Sequence, residues 1–242
     1  LIQGIPPTRQ TAMFSATWPR EVRKLASDYL NRPVHIQIGS HEATANKDIT
    51  QKICIVGGQR DKLERLRELV ATIRPEDRVI IFTNTKRMCD QLAQDLWQDR
   101  INCATIHGDR EQRERDQALN AFKSGRCPVL AATDVAARGL DIKGVQLVVN
   151  FDVASSTEDH IHRIGRTGRA GVPGTAVTFL DHSEGRQGRE VMRTMEKVGQ
   201  EIPPDLRDLV RSSGGGGRSG GRFGKGYGKG FGGKGGKGGK SG

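Results

Sequence analysis

The chain is 242 residues long and carries 39 Lys and Arg against 28 Asp and Glu, a formal net charge of +11. That length can bury a core in one large or two small domains. The charge is uneven, because residues 211–242 hold eight basic residues, no acid and 17 of the 32 glycines, leaving +3 for residues 1–210. Glycine has no strict third-residue period, which excludes collagen, and no run of about 18 apolar residues exists to span a membrane as a helix.

Apolar, β-branched runs predict strands over 10–14, 34–38, 51–56, 79–83, 102–106, 129–132, 147–151 and 176–180. Amphipathic stretches between them predict helices over 20–30, 61–73, 85–99, 111–122, 157–164 and 183–198. In the second of these, Leu63, Leu66, Leu69, Val70 and Ile73 share one face. Such alternation predicts an α/β fold, a doubly wound parallel sheet with helices on both faces. The polar connector 39–47 separates a single βαβ piece from the later units. Residues 1–40 are therefore expected to end an earlier domain, 46–205 to form a complete one, and 206–242, after Pro203-Pro204 and a short polar helix, to be a disordered tail. The chain starts at Leu1 without Met or a signal-peptide pattern, so a piece of a longer intracellular protein is expected.

Cys54, Cys89, Cys103 and Cys127 are far apart with no C-x-x-C pair, which suits reduced thiols rather than a disulfide frame or a zinc site. His160 and His162 have no cysteine partner nearby. No metal site is expected in this chain.

Ser15-Ala16-Thr17 closes the first predicted strand before Trp18-Pro19 and reads equally as a helix cap. His107-Gly108-Asp109, followed by Gln112 and Arg115, closes another strand and opens a helix, where a phosphate or an ordinary cap can sit. Ala132-Thr133-Asp134-Val135-Ala136-Ala137-Arg138-Gly139-Leu140-Asp141 follows a buried strand, at the end where open α/β sheets bind ligands. Asp134 or Asp141 can accept from ribose hydroxyls and Thr133 can donate to a phosphate; Thr133 or Asp134 can equally cap a loop. His162-Arg163-Ile164-Gly165-Arg166-Thr167-Gly168-Arg169 spaces arginines by three, so three guanidinium groups are expected on one side as a polyphosphate clamp, or as a solvated basic helix end. In the tail, Phe223, Tyr227 and Phe231 lie four apart among Lys and Gly, which suits stacking on unpaired bases or a plain solubilising linker. Gly239-Lys240-Ser241 lacks the first glycine of a P-loop, and Gly228, Gly230 and Gly233 lack the strand and helix of a dinucleotide fingerprint.

In this order the segments resemble those of the DEAD-box RNA helicases. Ser15–Thr17 matches motif III; Ile80-Ile81-Phe82-Thr83-Asn84-Thr85 resembles motif IV; Gln112 and Arg115 match the Q-x-x-R element; Ala132 to Asp141 resembles motif V; His162 to Arg169 resembles motif VI. The resemblance implies a RecA-like lobe preceded by the remnant of a first RecA-like lobe. It implies that Arg166 and Arg169 act as arginine fingers on ATP, with Gly139 and Asp141 as further ATP contacts. It assigns Ser15, Thr17, His162 and Arg163 to coupling between lobes. Thr85, Gly108, Gln112, Arg115, Thr133 and Arg138 fall to the RNA sugar-phosphate backbone. ATP is the implied cofactor, with Mg2+ held by carboxylates that belong before Leu1, as do the P-loop and the D-E-A-D tetrad. RNA and ribonucleoprotein components are the implied partners, in the nucleus more than the cytoplasm. The expected function is ATP-dependent unwinding or remodelling of RNA; the rival is a non-catalytic RNA annealer acting through its tail. Three positions depart from the family pattern: His160 stands where it has Tyr, and Phe151 and Ala154 stand where it has Tyr and Pro.

Overall fold

Val79-Ile80-Ile81-Phe82 and Val129-Leu130-Ala131-Ala132 are apolar at every position, the composition of strands covered on both faces. In the computed structural model of the chain, which describes residues 4–6, 8–15, 18, 20–37, 44–137, 142, 144–169 and 171–213, both runs form central strands with every residue buried. The elements run α1 (Arg20–Tyr29), β1 (Ile49–Val56), α2 (Gln59–Ala71), β2 (Val79–Phe82), α3 (Lys86–Gln98), β3 (Cys103–Ile106) and α4 (Gln112–Lys123). They continue with β4 (Val129–Ala132), α5 (Asp134–Ala137), β5 (Leu147–Asn150), α6 (Thr157–Ile164), β6 (Gly174–Asp181), α7 (Gly185–Lys197) and α8 (Pro204–Ser213).

The six strands make one parallel sheet in the order β1-β6-β5-β2-β4-β3. Alternate residues of each strand feed opposite faces. Val79 and Ile81 pack with Leu66 of α2 and Leu92 and Leu96 of α3, while Ile80 and Phe82 pack with Phe122 of α4, Ala137 of α5 and Ile164 of α6. Helices therefore cover both faces, as expected. The order reverses at β2, so the carboxyl ends of β2, β4 and β5 border a crevice of the kind that binds ligands in such sheets.

Two expectations need correction. Residues 10–15 and 34–37 form no strand, and Phe14, Val34 and Ile36 are exposed. A strand exists only when a neighbour takes its N–H and C=O groups, and among the described residues nothing pairs with these segments. The short helix expected after Pro203-Pro204 is α8, but it is not merely polar and it runs to Ser213, past the boundary set for the disordered tail at 206, with Leu206, Leu209 and Val210 buried against α7 and Leu180. Each such side chain contributes about 1.5–3 kcal/mol on burial, and Gly185 lets the helices close, since a Cβ there would run into Ser213. Residues 214–242 lie outside the described residues. The segment after β4 begins as a helical turn, α5, in which the Thr133 carbonyl accepts from the Ala137 N–H.

Candidate functional site

The crevice is organised by one arginine. Arg163 sits on the inner face of α6 and is 1% exposed, so its charge must be met inside the protein. Its Nε and Nη2 donate to the two carboxylate oxygens of Asp134 at 2.6 and 2.7 Å, a bidentate fork. Nη2 also donates to Asn84 Oδ1 at 2.7 Å, Nη1 donates to the Asp152 carbonyl at 2.6 Å, and the guanidinium lies 5.4 Å over the Phe82 ring. Asn84 is held in turn, its N–H donating to the Asp152 carboxylate at 2.9 Å and its side-chain amide to the Val153 carbonyl at 3.0 Å. One side chain thus ties together the ends of β2, β4 and β5.

This corrects the expected clamp of three arginines on one side. At 100° per residue a three-residue step turns the helix face back by about 60°, so residues 163 and 169 would differ by about 120° even in an unbroken helix. The helix ends earlier, at Ile164, and the buried face is set by His160, Arg163 and Ile164. Arg163 points inward, and Asp134, expected as a possible ribose acceptor, has both oxygens occupied by it.

Arg166 and Arg169 follow on the outer turn. Arg166 Nε donates to the His162 carbonyl at 3.2 Å and Arg169 Nε to the Gly165 carbonyl at 2.6 Å, so both cations cover the last carbonyls of α6. Arg166 is half-buried; burial first, and the Arg169 charge second, hold its guanidinium below the usual arginine range. Two crowded cations at a partly dry helix end attract a polyanion. The turn is rigid: Thr167 is buried and its hydroxyl donates to the Val145 carbonyl at 2.6 Å. Gly168 adopts φ +62°, where a Cβ would also run into Ile49, so this glycine answers a packing need. His162 is half-buried and its Nδ1 has no partner among the described residues.

A second group occupies the same edge of the sheet. Thr85 caps α3, its Oγ1 accepting from the Met88 N–H at 3.2 Å. Thr133 follows β4, and Gly108 follows β3 one residue after His107. Gln112 and Arg115 lie on the first turn of α4, where Arg115 Nη1 donates to Gln112 Oε1 at 3.3 Å. Because β2, β4 and β3 are neighbours, these loops line up along one rim. Ser15 is exposed and outside any regular element, and Thr17, Arg138, Gly139 and Asp141 lie outside the described residues.

Asn84, Asp152 and Asp90 were given no individual role from sequence, although Asn84 lies in the segment that resembles motif IV. The signal that could have raised the first two is a polar residue two positions beyond the end of a strand, in Phe82-Thr83-Asn84 and Asn150-Phe151-Asp152. Asp90, inside the helix α3, left no such signal.

Three comparisons agree with this geometry. Residues 61–171 match the family described as the helicase conserved C-terminal domain. The chain is 46% identical over 217 residues to DEAD-box ATP-dependent RNA helicase 46 of Arabidopsis thaliana, covering 89% of this chain and 33% of that protein. It superposes on S. cerevisiae Dbp5 bound to RNA and ADP BeF3 with a TM-score of 0.71 at 30% identity, covering 87% of this chain and 55% of that one. The C-terminal domain of the DEAD-box protein Dbp5 matches at 31% identity and a TM-score of 0.57, with 69% of this chain and 96% of that domain covered. The chain thus spans about a third of its Arabidopsis relative, and its sheet is RecA-like. The chain belongs to the DEAD-box helicase family and carries the C-terminal helicase lobe.

Proposed function

We propose that the chain acts as the second lobe of an ATP-dependent RNA helicase, with Arg166 and Arg169 serving ATP hydrolysis and the rim of Thr85, Gly108, Gln112, Arg115 and Thr133 holding RNA. The observation that carries this reading is the Arg163 network. It joins Asn84, next to Thr85, and Asp134, next to Thr133, to the helix whose end bears Arg166 and Arg169. A shift of the rim by bound RNA is therefore felt at the arginine pair without a separate relay.

The residues fit a triphosphate. Two guanidinium groups crowded at a half-buried helix end suit its spread negative charge, and bound ATP would supply the phosphoryl group transferred to water. Arg166 and Arg169 would leave their carbonyl partners to grip phosphate oxygens, and the rigid Thr167–Gly168 turn would hold them in place. Gly139 and Asp141 are proposed to meet the nucleotide, Arg138 the RNA, and Ser15, Thr17 and His162 the first lobe. Arg163 acts differently, as the internal brace of the site. Among the described residues there is no cluster of three or more Asp, Glu, His or Cys that could hold a metal ion.

RNA contact through sugars and phosphates carries no base information, so binding is expected to be independent of sequence. Gly108 supports close approach at the rim, since a Cβ there would meet no atom of the fold within 4 Å and interior packing does not demand glycine. The cationic segment 211–242 is proposed to add nonspecific grip on RNA, in reach of ribonucleoprotein partners. In the full-length protein, Arg166→Ala is expected to lower RNA-stimulated ATP turnover by about 10³-fold or more while nucleotide binding persists. Unchanged turnover would remove the arginine-finger role.

A further inference from the structure

Asp90 lies on the second turn of α3, and its Oδ1 reaches two groups on the loop after β3. It accepts from Arg110 Nη2 at 2.8 Å and faces His107 Nε2 at 3.1 Å. A carboxylate only accepts, so His107 carries its hydrogen on Nε2, and its buried Nδ1 is left without a partner. The same Arg110 Nη2 reaches Thr105 Oγ1 at 3.0 Å, anchoring the loop back onto β3. An outer contact runs parallel to these, from Lys86 Nζ to the Asp109 carboxylate at 2.5 Å, between exposed side chains.

These contacts bracket Gly108 on both sides. They also set the distance between the cap of α3 at Thr85 and the start of α4, which bears Gln112 and Arg115. The inner contact is the stronger, because His107 is 4% exposed and charge-assisted hydrogen bonds contribute about twice as much as neutral ones; the outer pair is solvated and contributes little. Without Asp90, a buried imidazole would have neither nitrogen paired, and the loop would shift to bring it to water.

We infer that Asp90 is a positioning residue for RNA, acting through His107 and Arg110 to hold the rim in register. The inference rests on the proposed RNA role of that rim. In the full-length protein, Asp90→Ala is expected to raise the RNA concentration for half-maximal ATPase about tenfold. Turnover at saturating RNA and the KM for ATP should stay within about twofold, because neither the arginine pair nor its brace touches Asp90. Asp90→Asn keeps an acceptor oxygen but not the charge, and should shift RNA half-saturation about threefold. This variant decides the matter if the alanine variant does not fold.

A purely structural residue would lower turnover along with RNA affinity. That result, or an unchanged RNA half-saturation in a folded Asp90 variant, overturns the positioning role. Arg115→Ala and Gln112→Ala, assayed beside it, separate the two readings. If they weaken RNA and the Asp90 variants do not, the positioning role alone falls; if neither weakens RNA, the rim reading falls and the role of Asp90 with it.

Discussion

Arg163 and the pair Arg166 and Arg169 are the same residue type at even spacing around one helix end, yet the fold treats them in opposite ways. Arg163 is buried, paired with one carboxylate and bonded to two further oxygens. Arg166 and Arg169 rest on backbone carbonyls that water could serve equally well. A guanidinium saturated inside a protein can only brace, while one held loosely at the surface can change partners when an anion arrives. The difference lies in helix phase and in where α6 stops.

The sharpest way to break this contrast is Arg163→Ala, which leaves the Asp134 carboxylate without its partner. Removing one side of a buried pair costs about 3–5 kcal/mol, so the urea midpoint should fall steeply and ATP and RNA functions should fail together. Arg163→Lys should rescue little, because an ammonium cannot reproduce the fork. A stable Arg163→Ala protein would mean that the brace is not structural.

The next test is acid. His160, packed on the same buried face as Arg163, has its pKa pushed down to about 4, by burial first and by the Arg163 charge second. Its ordinary value is about 6.5, so between those values the unfolded chain binds a proton that the folded chain refuses. Stability from this residue is full above about pH 6.5 and is lost as pH falls toward 4, by up to roughly one proton of slope. His160→Tyr, the residue of the family pattern, should flatten denaturant midpoints measured from pH 7 to pH 4.5. An equal pH slope in both proteins would place the acid sensitivity elsewhere.

The smallest expected effect lies on the outer turn. Arg169→Ala should change stability by no more than about 0.5 kcal/mol, as an exposed substitution does, while lowering ATP turnover in the full-length protein. A large loss of stability there would erase the distinction between brace and finger. For the tail, deleting residues 214–242 should flatten the salt dependence of RNA binding, the log–log slope changing by about 0.7 for each phosphate that the tail had neutralised.

Much of the lobe was legible in the chain alone. β2 and β4 announce themselves because strands buried on both faces need apolar residues at every position, and α2, α3 and α6 because one-sided burial imposes a helical period. The candidate residues Thr85, Gly108, Gln112, Arg115, Thr133, Arg166 and Arg169 were singled out by the order of segments that resembles the helicase motifs, and the structure places them in or beside the loops that follow strands and the turn after α6. The expected strands over 10–14 and 34–38 failed for the complementary reason: a run of apolar residues states a preference, but strandedness belongs to a pair.

By itself, then, the sequence determined the alternation of strands and helices, the segregation of +8 of the net +11 into residues 211–242, and the order of the motif segments. Only the tertiary structure decided which arginine of three turns inward, because its partners Asp134 and Asn84 lie 29 and 79 residues away and meet it only when β2 and β4 are neighbours. The same holds for Asp90, whose bonds to His107 and Arg110 cross from one helix to the end of an adjacent strand. Local propensity reaches a turn or two along the chain, whereas a buried charge is settled by whatever the sheet order brings within about 3 Å.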